Sequence, residues 1–263
     1  MLHHFQHGLK LSGLLLVLIS LTSTVLIAQS VSDDPKARAV FEELDRRRNK
    51  IQYEQSDMLM RIVDSRDRVR ERSMQFFSHN SDQKSESLVI FSDPADVRGT
   101  ALLTIEEHGR EVQKLYLPAL GRVQTISSSQ KSDRFMGSDF TYEDLGAQSP
   151  DDYIFEMWAE TDTATILKAQ KKENSQYAYI HFYIHPDRYI LTEAHYFNAD
   201  DERIKRLVAS NYQEVLPEVW RAGQMIMYDE QNDRYTTLSW SDRSVNSFIP
   251  SWRFTERGLR RGL

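Results

Sequence analysis

The 263-residue chain contains no cysteine. That excludes disulfides, thiolate metal centres, a cysteine nucleophile and lipid attachment at an N-terminal cysteine, so stability has to come from an ordinary core. Glycine and proline are scarce, at 10 and 7 residues. No Gly-rich phosphate loop, G-x-S-x-G, H-E-x-x-H or calcium-loop pattern occurs. Positive charge is not in excess: 33 Lys+Arg face 39 Asp+Glu, a formal net charge of −6. A nucleic-acid partner, which needs a basic face to displace counterions, is therefore not expected. After residue 28 there is no apolar run long enough to span a bilayer as a helix, and mean hydropathy is −0.57.

What is present begins with a leader. Residues 1–28 combine a polar head with one formal charge, Lys10, an apolar run from Leu11 to Ile27, and Ala28 before Gln29-Ser30. These are the parts of a cleavable secretory signal peptide; the alternative is an uncleaved anchor, because the run is long enough to cross a membrane. The expectation is an exported, periplasmic protein with a single domain over 29–263.

Ser32-Asp33-Asp34-Pro35 reads as a helix start, with Ser32 or Asp33 as cap and Pro35 in the first turn. Ala37, Val40, Phe41 and Leu44 share one face, and Arg46-Arg47-Arg48 suits the negative end of the helix dipole. After Asn49, segments of about ten residues alternate in side-chain type between short polar links such as 172–175 and 198–201, the pattern of successive antiparallel hairpins. Roughly a dozen strands and one clear helix predict a mainly β fold, a single large, curved antiparallel sheet. Many strands carry charge on one face, as in 192–196. The other face needs an apolar cover, either closure of the sheet on itself or a ligand on its concave side.

Candidate chemistry is sparse. His181 and His185, with Asp187, share the face of one strand and read as polar surface more readily than as a metal site. The acidic pairs Glu143-Asp144 and Asp151-Asp152 carry no sign of facing each other across a cleft, as a glycosidase requires. No catalytic residue, metal or cofactor is assigned, and an enzyme is not expected. The apolar side chains say more. Met58, Met60, Met74, Phe76, Phe91, Leu103, Leu115, Leu117, Phe135, Phe140, Tyr142 and Trp158 are the candidate lining of an apolar cavity, with flexible thioethers suited to an acyl chain.

The stretch Leu115-Tyr116-Leu117-Pro118-Ala119-Leu120-Gly121-Arg122-Val123, followed by Phe135-Met136-Gly137-Ser138-Asp139-Phe140-Thr141-Tyr142-Glu143-Asp144-Leu145 and a terminal Phe254-Thr255-Glu256-Arg257-Gly258-Leu259, resembles the outer-membrane lipoprotein-sorting protein family, a LolA-like group found beside RND-type exporters. The resemblance implies a LolA/LolB-type fold: an unclosed β-barrel of about eleven antiparallel strands with helices as a lid or plug over an apolar cavity. It also implies a periplasmic, monomeric carrier of lipid or lipoprotein acyl chains. The alternative is an accessory or sensor that docks on an RND-type exporter. Within the motif, Gly137 is expected to make a tight bend and Ser138 or Asp139 to cap a short helix over 141–145. Phe135, Phe140 and Tyr142 would then point from a lid or plug into the cavity mouth.

Overall fold

The computed structural model describes Met1 and residues 32–262, so apart from Met1 the expected leader lies outside the described residues. The chain opens with α1 (Pro35–Arg48) and continues through β1 (Tyr53–Val63), β2 (Val69–Ser81), β3 (Lys84–Asp93), β4 (Ala101–Glu107), β5 (Arg110–Leu117) and β6 (Arg122–Thr125). After a long non-strand segment come β7 (Tyr153–Glu160), β8 (Thr165–Lys171), β9 (Tyr179–Ile184), β10 (Leu191–Phe197) and β11 (Arg203–Ser210). The last strands are β12 (Gln213–Leu216), β13 (Val219–Arg221), β14 (Gln224–Asp229) and β15 (Arg234–Val245), and α2 (Glu256–Arg261) ends the described chain.

Thirteen strands form one antiparallel sheet in the order β6-β5-β4-β3-β2-β1-β15-β14-β11-β10-β9-β8-β7, while β12 and β13 make a separate hairpin. The sheet has two more strands than the resemblance implied, and it is unclosed, with β6 and β7 as its edges. Neighbours along the chain pair as hairpins, and the pairing of β1 with β15 joins the two halves. The connection from β6 to β7 has to run from one edge to the other. Residues 126–152 therefore pass across the concave side, and Phe135, Phe140 and Tyr142 enter the core there.

Register decides which residues face inward. One concave layer runs Ser56–Phe76–Val89–Leu102–Leu115 across β1 to β5. Another runs Ile62–Thr236–Met227–Leu207–Ala194–Phe182–Leu167 across the other half. The apolar face of α1 lies on the second half: the Phe41 ring is 4.9 Å from Phe155, 5.1 Å from Phe182 and 6.1 Å from Tyr153. Asp34, one residue later than expected, is the cap, its carboxylate accepting from the Lys36 and Ala37 amides. Asp33 instead accepts from the Phe155 amide and ties the helix start to β7.

The convex face is not uniformly wet. Over β2 to β4 a second apolar layer, Phe77, Leu88, Ile90, Ala101 and Leu103, is covered by Ile249, Phe254 and Leu259 of the C-terminal segment. That corrects Leu103, which was expected in the cavity: Leu102 holds the inward parity, and Leu103 is buried only because α2 and its approach cover the outer side. Trp158 is corrected in the same way. It is half exposed on the convex face, its ring 4.8 Å from His181 and with the Lys168 ammonium 5.5 Å from its centre. Alternation along β7 sends Tyr153 and Phe155 inward and breaks register at Met157/Ala159. Among the described residues no helix is long and apolar enough to cross a membrane.

Candidate ligand cleft

Residues 126–152 are a plug anchored by buried charge. Every carboxylate of its Ser138–Leu145 stretch has a partner on the sheet or its loops. Asp139 is met by Arg134 and by Arg234, the latter at 2.5 Å, and its second oxygen accepts from the Thr236 hydroxyl at 2.6 Å. Arg134 also pairs with Asp229 of β14. Asp144 pairs with Lys205 of β11 at 3.1 Å. Glu143 accepts from the Ser175 hydroxyl and the Gln176 amide and lies 3.7 Å from Lys171. Arg72 donates to the Met136 carbonyl, and Arg234 to that of Gly137 at 2.8 Å. Buried ions are held so firmly only because each has its partner, and removing one partner is costly.

The backbone agrees in part with the expectation for this motif. Gly137 makes the bend, at φ +75°, and Met136 before it also has positive φ. The expected helix over 141–145 is a hydrogen-bonded turn instead, with Thr141 and Asp144 capping each other. A short 3-10 turn, Phe135–Gly137, precedes it. The burial of Phe135 and Phe140 and the charge pairs make this segment a plug.

What the plug leaves open is a cleft of about 660 Å³ at one end of the half-barrel. Its walls are the end of α1 (Asp45, Arg48, Asn49), the β2–β3 turn, residues 146–149 with Asp151, and Arg221 at the end of β13 with Ala222 after it. Phe76, Met225 and Trp240 supply its apolar floor. Toward the open end the concave layer changes character. Glu54, Ser78, Ser87, Thr104 and Gln113 stand opposite one another where the next layer inward has Ser56, Phe76, Val89, Leu102 and Leu115. The cleft therefore grades from polar to apolar along the strands.

Of the twelve residues proposed for the cavity, Phe76 lines this cleft. Met58, Met60, Met74, Phe91, Leu115, Phe135, Phe140 and Tyr142 are brought together, but as packed core, with the rings of Phe135 5.6 Å from Phe91 and 5.7 Å from Tyr142. Leu117 packs at the margin of the same core. The space expected to be hollow beside Met60 and Phe91 is thus filled by the plug's own rings. Glu54, Arg221, Arg243, Met225 and Trp240 belong to the cleft and were not among the twelve. One signal for Glu54 was available: it shares the parity of Met58, Met60 and Ile62, so an acid sits on an apolar face.

His181 and His185 do not converge on a common ion. His181 is stacked among Trp158, Tyr179 and Phe197, whereas His185 Nδ1 accepts from the Asp187 and Arg188 amides.

Fold and cleft together define a class: an unclosed antiparallel half-barrel, plugged from within, with an open-ended cleft on its concave side. A family model described as "Uncharacterized protein" matches residues 83–261, and the chain belongs to that family. The LolA-like resemblance holds in the solved structures. A domain from Vibrio parahaemolyticus named for outer-membrane lipoprotein sorting superposes with a TM-score of 0.82 at 28% identity, covering 86% of this chain and 99% of its own. A DUF1329 family protein from Desulfovibrio piger gives 0.80 at 24% identity, with 87% and 99% covered. A LolA superfamily protein from Nitrosomonas europaea gives 0.67 at 19% identity, with 83% and 97% covered. No curated protein matches the chain by sequence.

Proposed function

We propose that the protein is a periplasmic carrier that holds an acyl chain of a lipid or lipoprotein on the concave side of its half-barrel and releases it unchanged. The observation that supports this most is the cleft, with its floor of Phe76, Met225 and Trp240 and its polar mouth. Its size falls within the range of small-ligand sites. Each methylene moved from water onto such a floor contributes about 0.8 kcal/mol, so a long chain is retained without a covalent bond. The name of the Vibrio relative points the same way. Export through the leader at 1–28 would place the carrier between two membranes, acting as a monomer.

In this reading the plug stays and α1 moves. The plug is held by buried ion pairs, whereas the ion pair that joins α1 to β7, Lys36 with Glu160, is exposed on both sides. Exposed pairs of that kind contribute little. Displacing the C-terminal end of α1, which carries Asp45 and Arg48, widens the cleft toward Met58 and Trp240.

Native mass spectrometry of gently purified protein tests the proposal. Bound acyl species are expected, and their loss is expected in a Phe76→Ser, Met225→Ser variant that still unfolds cooperatively. Protein that neither copurifies with lipid nor takes up a fluorescent fatty acid refutes it. In-cell crosslinking to an inner-membrane exporter that survives in the cleft variant would favour the docking alternative.

A further inference from the structure

The mouth of the cleft holds two guanidinium groups on one carboxylate. Glu54 Oε2 accepts from Arg221 Nε at 2.8 Å, and Glu54 Oε1 lies 2.9 Å from Arg243 Nε. The second contact is close but badly aligned, so Arg243 Nε has no hydrogen-bond partner although its side chain is only 9% exposed. The remaining bonds of the two arginines run to backbone carbonyls, Arg221 to Arg48 and Arg243 to Ala222, both at 2.8 Å. Among the described residues no carboxylate other than Glu54 lies within 4 Å of either guanidinium. The trio therefore carries one uncompensated positive charge in a site largely shielded from water, an arrangement that is costly until an anion arrives. Burial pushes the Arg243 guanidinium below its ordinary range, Glu54 opposes that shift, and the neighbouring Arg221 adds to it.

A second orphan lies alongside. The Ser56 hydroxyl is buried without a partner, on the same face as Glu54 and opposite Phe76, where β15 breaks register. Ser78 and Ser87 line the cleft in the same layer as Glu54. The other acids of the cleft are engaged or peripheral: Asp45 is taken by Arg48 and Asn49, Glu106 accepts from the Gly109 amide, and Asp82 and Asp151 sit on exposed turns.

We infer that the cleft takes a single-chain anionic amphiphile, with its carboxylate or phosphate head on Arg243 and Arg221 and its chain over Phe76, Met225 and Trp240. The polar-to-apolar grading supplies the direction, head outward and chain inward. The planar, multi-donor guanidinium is the side chain best matched to both head groups. The inference rests on the carrier reading and adds the chemistry of the head.

Displacement of bound cis-parinarate tests it, with palmitate, 1-palmitoyl lysophosphatidate, hexadecanol and inorganic phosphate as competitors. Palmitate and the lysophosphatidate are expected to displace the probe about tenfold or more better than hexadecanol, the discrimination given by a charge-assisted hydrogen bond. Inorganic phosphate alone should not displace it, because it has no chain. Arg243→Met should remove the discrimination, weakening palmitate and the lysophosphatidate about tenfold more than hexadecanol. Glu54→Gln, which withdraws the resident carboxylate, should tighten the anions, a gain that a purely structural role cannot produce. Equal displacement by acid and alcohol in the wild type overturns the inference while the carrier reading stands. So does an equal loss of both in Arg243→Met, or weaker anion binding in Glu54→Gln. Displacement by phosphate as effective as by palmitate overturns the chain assignment. A chain that binds neither the probe nor hexadecanol refutes the carrier reading itself.

Discussion

Lys205 of β11 and Asp144 of the plug form an ion pair 3.1 Å long, inside the protein, with side-chain exposures of 10% and 1%. Lys205 Nζ also donates to the Tyr177 hydroxyl at 2.9 Å, and that hydroxyl donates to the other oxygen of Asp144 at 2.7 Å. Burial and the adjacent Asp144 push the Tyr177 phenol well above its ordinary range, so it stays a donor. The bridge spans 61 residues of sequence and closes one end of the plug onto the sheet.

Lys205→Met strands Asp144 as a buried, unpaired charge. A stability loss of about 3–5 kcal/mol in urea unfolding is expected, and Lys205→Met with Asp144→Leu should recover part of it. A loss below about 1 kcal/mol for the single change would mean that the pair does not secure the plug.

Gly137→Ala tests the bend. At φ +75° an alanine is strained although space is not the obstacle, the nearest atoms being the Arg70 guanidinium nitrogens at 3.9 Å. The expected cost is about 1–2 kcal/mol by chemical denaturation. A neutral result would show that the bend can relax.

His181 should make stability pH-dependent. Burial first, then Lys168 and His195, hold its imidazole down to about 4, from 6.5. Between those values the unfolded chain binds the proton and the folded one does not. Stability is therefore full above 6.5 and falls as pH drops toward 4. The wild type is expected to lose more thermal stability than His181→Phe between about pH 7 and about pH 5. Parallel profiles would contradict the assignment.

Phe41→Ala removes the central ring under α1. The expected loss is about 3–5 kcal/mol, as for other buried aromatic truncations. If α1 is the moving cover, uptake of a fluorescent fatty acid should also be faster in the variant, measured by stopped flow. An unchanged rate would place the gate elsewhere.

Much of the fold was legible because its signals are local. The limits of β1 match the alternation of Tyr53–Val63 residue for residue. The run over 219–228 is largely apolar, yet it forms two strands: β13 ends at Arg221 and β14 starts at Gln224. Gly223 lets the chain break there, close against the backbone of Asn211. β12 is four residues long, with one exposed acid, Glu214, and carries no alternation that would mark it. The candidate site was legible only in outline. Parity separates the two faces of a strand but does not say which one is concave; Leu103 and Trp158 fell on the wrong side for that reason.

Alternation, turn residues and one capped amphipathic helix, all read from neighbouring positions, determined a large antiparallel sheet. Three things were left to the tertiary structure: which face is concave, that residues 126–152 fill it, and that Glu54, Arg221 and Arg243 meet. Glu54 and Arg221 are 167 residues apart and are brought together by the pairing of β1 with β15 and the hairpin that precedes β14. Side-chain periodicity is a property of a few consecutive residues. A shared layer arises only when strands distant in sequence settle into register, and that register is set by the whole core packing at once.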